Sequence, residues 1–278
     1  MDPVRAITIS GLCFAAIGVI LRLSTSSGAY DWMILLPIIA IGAALALAPQ
    51  LRWRYWQTHA PDLPVEMAAL LDRFDLYRRL DLDGKREFRR RTFLLRERFH
   101  FHGEAIEEIP DDIRIMVAAS AATVGFHRED FLLGKFETVV FYRHYFPTPV
   151  HEMLHCSELH EEDGAIIWTL NVFLRACVEP KKYFHLGLYE YGRALFSLEP
   201  ALRAQIEKSA LGYDEIDALT GFTEAKLKKF IGLPELDTTA ITLVLYHTHR
   251  EEVKKLYPGV LAEMDTMFLS KRLRPTVA

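Results

Sequence analysis

Two stretches near the amino terminus carry no charged residue: residues 6–21 and residues 32–49. A helix on the surface of a water-soluble protein needs a polar face, and neither stretch has one. The second approaches the ~20 apolar residues required to span the hydrocarbon core of a bilayer. The first is shorter and follows Arg5, so alone it would read as the core of a signal peptide. A short polar loop, residues 23–31, leads from it straight into the second run, and together they read as a helical hairpin. Tyr30 and Trp32 stand at one end of the second run, and Trp53, Tyr55 and Trp56 just beyond the other, where amphipathic rings favour a membrane interface. Arg5, Arg52 and Arg54 flank the hairpin on the side of its ends, against Arg22 in the connecting loop. The excess of cations places both ends in the cytoplasm.

The remainder of the chain is of a different kind. Residues 60–64 (APDLP) read as a linker. The organisation is therefore a transmembrane hairpin over 1–50, a juxtamembrane linker over 51–69 and a large domain over 70–278. A formal charge of -4 offers no basic footprint for nucleic acid. The three cysteines have no CxxC spacing, so they suggest neither a cysteine zinc site nor a disulfide framework. From the linker to about Phe101 the pattern is helical, with Leu70, Phe74, Tyr77 and Leu80 at near-helical spacing. The arginines of residues 85–98 read as a solvated face close to anionic lipid. Pro110-Asp111-Asp112 opens a second helix running to about Val124, its carboxylates suited to the helix dipole. Residues 136–146 and 165–169 read as strands. Residues 183–196, 201–209 and 239–267 read as helices, the last interrupted near Pro258. The large domain is thus α+β, mostly helical with a small sheet.

Residues 151–155 spell HEMLH. On a helix this spacing sets two imidazoles one turn apart to hold zinc, with the glutamate between them as general base. Thr148 could cap such a helix with Pro149 at its first position, and Glu158, His160, Glu161 and Glu162 offer further ligands. Three features argue against it. His151 would fall in the opening turn, where nothing upstream holds it rigid. The segment is heavily charged and lies between two strands, as a surface connection does. The chain also has 11 histidines, enough for short patterns to arise by chance.

Landmarks spread from Leu70 to Phe268 resemble the Mlc titration factor A family, the zinc-dependent peptidases of bacteria. They are an arginine-rich helix ending in Glu97-Arg98-Phe99 and followed by Gly103, and Ile109-Pro110-Asp111-Asp112-Ile113-Arg114 before an alanine-rich helix. Then come the strand from Val139 to Tyr142, Leu186-Gly187-Leu188 with the helix after it, and the helix ending in Glu251-Glu252-Val253-Lys254-Lys255-Leu256-Tyr257-Pro258. The resemblance implies a zincin-like metallopeptidase domain. Where this chain reads HLGLYEYGRAL, family members carry a motif like NLGLHEFAHAL. The first ligand histidine then falls on Tyr189, the catalytic glutamate on Glu190 and the second histidine on Arg193. The third ligand, a glutamate, falls at or near Val244.

Tyrosine, with an unperturbed pKa near ~10, is a poor zinc ligand at neutral pH. Arginine is cationic and has no lone pair, and valine has no donor atom. Without ligands no bound water is activated, and Glu190 has no nucleophile to serve. Glu190 and Arg193, three apart, are placed to form an ion pair if the segment is helical. The resemblance and its departures together imply a membrane-anchored, degenerate member of the family, without a cofactor. It would act as a non-catalytic binding or regulatory protein of the bacterial inner membrane, its large domain in the cytoplasm. Its partners would be the lipid bilayer and a protein or peptide, not nucleic acid. The alternative is an active zinc peptidase using His151 and His155 with Glu152 as base.

Overall fold

The computed structural model describes residues 2–25 and 28–269. These divide into two compact units, Met1–Pro61 and Asp62–Ala278, with the break inside the APDLP linker.

The first unit contains α1 (Pro3–Thr25), a 3-10 turn (Gly28–Tyr30), α2 (Trp32–Ala46) and α3 (Ala48–His59). Pro3–Thr25 and Gly28–Ala46 are each long and apolar enough to cross a membrane, and only 11% of each span is buried. Two core helices of a soluble protein would be covered. Here Ile9, Leu12, Ile20 and Ile39 face outward and bare. Small residues let α1 and α2 meet, as expected where packing rather than hydrophobicity joins helices. A Cβ at Gly18 would lie 2.8 Å from that of Met33, and one at Gly11 would lie 3.0 Å from the Ile41 side chain. Asp2 accepts a hydrogen bond from Arg52 Nε at 2.9 Å and ties the start of α1 to α3.

The second unit begins with α4 (Val65–Leu70), α5 (Asp75–Arg79) and α6 (Leu82–Arg98). Then come β1 (His100–Glu104), α7 (Asp111–Val124), β2 (Thr138–Tyr142), β3 (Ser157–His160) and β4 (Ala165–Thr169). Helices complete it: α8 (Leu170–Val178), α9 (Leu186–Leu198), α10 (Pro200–Glu207), α11 (Tyr213–Thr220), α12 (Glu224–Ile231), α13 (Thr238–Thr248), α14 (Arg250–Leu256) and α15 (Pro258–Phe268). The described chain is mostly helical, at 65%, with one mixed four-stranded sheet.

Local chemistry sets many of the ends. Asp81, Thr223 and Asp237 cap α6, α12 and α13 by accepting backbone N–H bonds. Prolines begin α10 and α15. Gly221 and Gly232 close α11 and α12 in the left-handed region, at φ 72° and 92°.

The sheet order is β1-β2-β4-β3, parallel across β1-β2-β4 and antiparallel at β3. Val139, Phe141, Ile166 and Trp168 point inward from its central strands and are fully buried. Phe173 and Tyr191 close on Trp168, with ring centroids 4.8 Å and 5.7 Å away. Helix α7 is buried from Ile115 to Val124, and its small side chains let α9 approach. A Cβ at Gly187 would lie 2.6 Å from Ser120 Oγ, so that crossing needs glycine. Helix α13 packs on another face of α9 at Gly192, where a Cβ would come within 3.0 Å of Leu243 Cδ2.

Two strands depart from the sequence reading. The helical reading that runs to about Phe101 overreaches slightly: the helix ends at Arg98 and His100–Glu104 form β1, an edge strand. Mostly exposed side chains leave that strand without hydrophobic alternation. Residues 157–160, read as charged connection, form the other edge strand, β3.

Candidate functional site

The connection from β2 to β3 must pass the end of β4 to reach the outer edge of the sheet, and HEMLH lies on this crossing. It is not helical. Thr148 Oγ1 accepts the His151 N–H at 3.1 Å while the Thr148 N–H donates to the His151 carbonyl at 2.8 Å. The residue read as a possible helix cap therefore closes a tight turn between Pro147 and His151. His155 pairs with Phe146 through two backbone bonds of 3.0 Å.

The His155 side chain is fully buried, with both ring nitrogens engaged: Nδ1 lies 2.8 Å from the Met153 carbonyl oxygen and Nε2 2.7 Å from Glu158 Oε2. The His151 and His155 rings stand edge to face, with centroids 5.7 Å apart. Glu152 is exposed. A zinc ligand needs a free lone pair directed at the metal, and His155 has none. Among the described residues no group of three or more His, Cys, Asp or Glu is placed to hold a metal ion. His151, His155 and Glu152 do not fit zinc.

Helix α9 is where sequence and geometry agree. Its amino end is set by His185, whose Nδ1 accepts the Leu188 N–H at 3.2 Å. Tyr189, Glu190 and Arg193 follow within two turns on this helix. Glu190 is 0% exposed. Arg193 Nη1 donates to its Oε2 at 2.8 Å, and the Ser157 hydroxyl donates to its Oε1 at 2.6 Å. The ion pair expected from the spacing is present. Ser157 comes from β3, which had not been anticipated, so this partner was not legible beforehand.

Burial works against the charge on Arg193, but the Glu190 carboxylate outweighs it and raises the pKa. The guanidinium also lies over the Tyr189 ring, 5.7 Å from its centroid. Tyr189 Oη accepts the Asp237 N–H at 3.0 Å, tying α9 to the cap of α13. Burial, then the neighbouring Glu190, pushes its phenol further above the ordinary value. Val244 is buried on α13, one turn beyond Ala240, which faces Gly192 of α9.

The chemistry of this centre is that of a closed polar contact. Both Glu190 oxygens already accept a hydrogen bond, Tyr189 is held neutral, and Val244 offers carbon. Tyr189, Arg193 and Val244 do not fit a zinc ion. Only Arg193, with 29% of its side chain exposed, reaches solvent appreciably. A cavity of about 520 Å³ in the same unit is lined by none of these four residues.

Comparison of the chain with protein-family models, with curated proteins and with solved structures found no match.

Proposed function

We propose that this chain is a membrane-anchored, non-catalytic relative of the Mlc titration factor A peptidases, with a zincin-like second unit that binds or regulates rather than cleaves. The observation that carries this reading is the state of Glu190. It occupies the general-base position of the resemblance, yet its two oxygens are taken by Arg193 and Ser157. A general base needs a free lone pair within reach of a water's proton. The replacements at Tyr189, Arg193 and Val244 remove the metal that would acidify such a water.

The anchoring part of the reading draws on the two long apolar helices and their bare outer faces. The excess of arginines at the ends of the hairpin supports a cytoplasmic large unit, and the family resemblance is what suggests a bacterial inner membrane. A protein or peptide is the partner class that the family resemblance suggests.

The test is a peptidase assay on the detergent-solubilised full chain with zinc added, alongside Glu190→Gln. The reading expects no zinc-dependent hydrolysis of unstructured protein substrate. Hydrolysis that a chelator stops and that Glu190→Gln abolishes would overturn it.

A further inference from the structure

The HEMLH segment holds no metal, yet it stands in the barest apolar part of the second unit. Among the described residues of that unit eight large apolar side chains are exposed. Four of the eight, Tyr145 (39%), Val150 (61%), Met153 (48%) and Leu154 (62%), fall within ten positions of the crossing from β2 to β3. Single exposed apolar side chains are ordinary, whereas a concentration of them marks a contact surface. The crossing is also firmly held. The turn from Thr148 to His151 closes on itself, and Phe146 and His155 pair through their backbones. The buried His155 ring is fixed between Glu158 and the Met153 carbonyl. Gly232 backs the loop where the Leu154 carbonyl leaves no room for a Cβ. A fixed backbone that presents bare apolar side chains is preorganised for an apolar partner.

Size and hydrogen bonding choose that partner. Four side chains are few against the roughly 20–30 residues a side of a stable protein interface. The loop also has little to offer a pairing strand. Phe146, Thr148 and His151 spend their N–H groups within it, and Pro147 and Pro149 have none. The same economy suits a lipid surface, where an unsatisfied backbone group is costly. Charge does not decide the matter. Exposed Arg143 and Lys229 are offset by exposed Glu152 and Glu235, so apolar contact has to hold the loop. Such a contact can be weak alone, because the two apolar helices of the first unit keep the second beside a bilayer at high effective concentration.

We propose that residues 145–154 form a membrane-docking loop, with Tyr145, Val150, Met153 and Leu154 entering the boundary between headgroups and acyl chains of the bilayer that holds α1 and α2. Exposed Glu152 keeps the entry shallow, since a carboxylate stays among the headgroups. His155 and Glu158 are the foot of the loop, which gives the motif a structural use. The proposal rests on the anchoring half of the proposed function and not on the reading of Glu190.

Full-length protein carrying Cys13→Ala keeps only its two buried cysteines. Val150→Cys, Leu154→Cys or, as a reference on the turn between β3 and β4, Glu162→Cys then adds one exposed thiol for an environment-sensitive fluorophore. In phosphatidylcholine vesicles, lipid brominated on its acyl chains should quench the labels at positions 150 and 154 about threefold more than the label at 162. Val150→Asp with Met153→Asp should bring the quenching at 154 down to the reference level. Should the aspartates impair folding, Val150→Ser with Met153→Ser should do the same. Equal quenching at all three positions, or quenching at 154 that the paired substitutions leave unchanged, overturns the proposal. So does a disulfide between copies through Leu154→Cys in place of quenching, which would make a second chain the occupant. Alkaline carbonate separates the two readings. Release of the chain from the vesicles would overturn the anchoring, and a retained chain with unquenched labels would overturn the docking alone.

Discussion

A carboxylate with no exposure survives in a protein core only if its oxygens are met, and Glu190 meets Ser157 and Arg193. The asymmetry of buried pairs makes this testable. Removing one partner strands the other, whereas replacing both by apolar groups of similar size can be nearly neutral. Arg193→Met alone should lower unfolding stability by about 3 kcal/mol, and Ser157→Ala by about 1–3 kcal/mol. The double variant Glu190→Met/Arg193→Met should recover most of the Arg193→Met loss in urea denaturation. An Arg193→Met variant as stable as the parent would contradict the closed buried pair. The position of this cluster on one helix was legible from the spacing of residues 189, 190 and 193. Its third member was not: Ser157 lies 33 residues upstream on an edge strand that no alternation announced.

At the scale of elements, reading succeeded where a single segment contains its own reason. The run from Asp111 to Val124 has acidic residues at its amino end and an apolar, alanine-rich body, and it forms α7 as expected. The interruption near Pro258 separates α14 from α15. Reading failed where the reason lies elsewhere in the chain. Strand β1 exists because Phe101 and its neighbours pair with β2, and the HEMLH segment is extended because His155 pairs with Phe146. A five-residue motif cannot reveal a partner nine positions before it, and so a helix with zinc ligands remained open until the crossing was seen. Gly232 shows the same dependence. It ends α12 at φ 92° and leaves no room for a Cβ beside the Leu154 carbonyl and His155. Gly232→Ala should therefore destabilise the second unit by more than the ~1 kcal/mol of an ordinary helix-end glycine. Equal melting temperatures for variant and parent would contradict this account of the crossing.

Across the whole molecule, four buried or half-buried histidines whose pKa burial lowers, His127, His185, His247 and His249, make acid a specific threat. Burial holds His185 down to about 4 and, with Arg128 nearby, His127 also to about 4. His247 lies well below the ordinary 6.5, again mainly through burial. Each has a folded value below its unfolded one, so the unfolded chain binds more protons as pH falls. The stability they contribute is complete above about pH 6.5 and is lost progressively toward pH 4. Denaturant titrations at pH 7, 5.5 and 4.5 should show a steady decline; a flat profile would contradict neutral burial. Glu87 acts in a separate window. Burial alone would raise its pKa, but hydrogen bonds from Arg90 and Arg91 bring it down to about 2, so its contribution fades only between about pH 4.5 and 2. The claim that joins the units into one functional account is that a peptidase-like domain on a membrane hairpin has lost its metal. Zinc content of the purified full-length chain, followed by zinc addition during thermal unfolding, tests it most directly. The account predicts far less than one zinc per chain and no rise in melting temperature, since a ligand bound only by the folded state must raise it. About one zinc per chain, lost in His155→Ala, would contradict it.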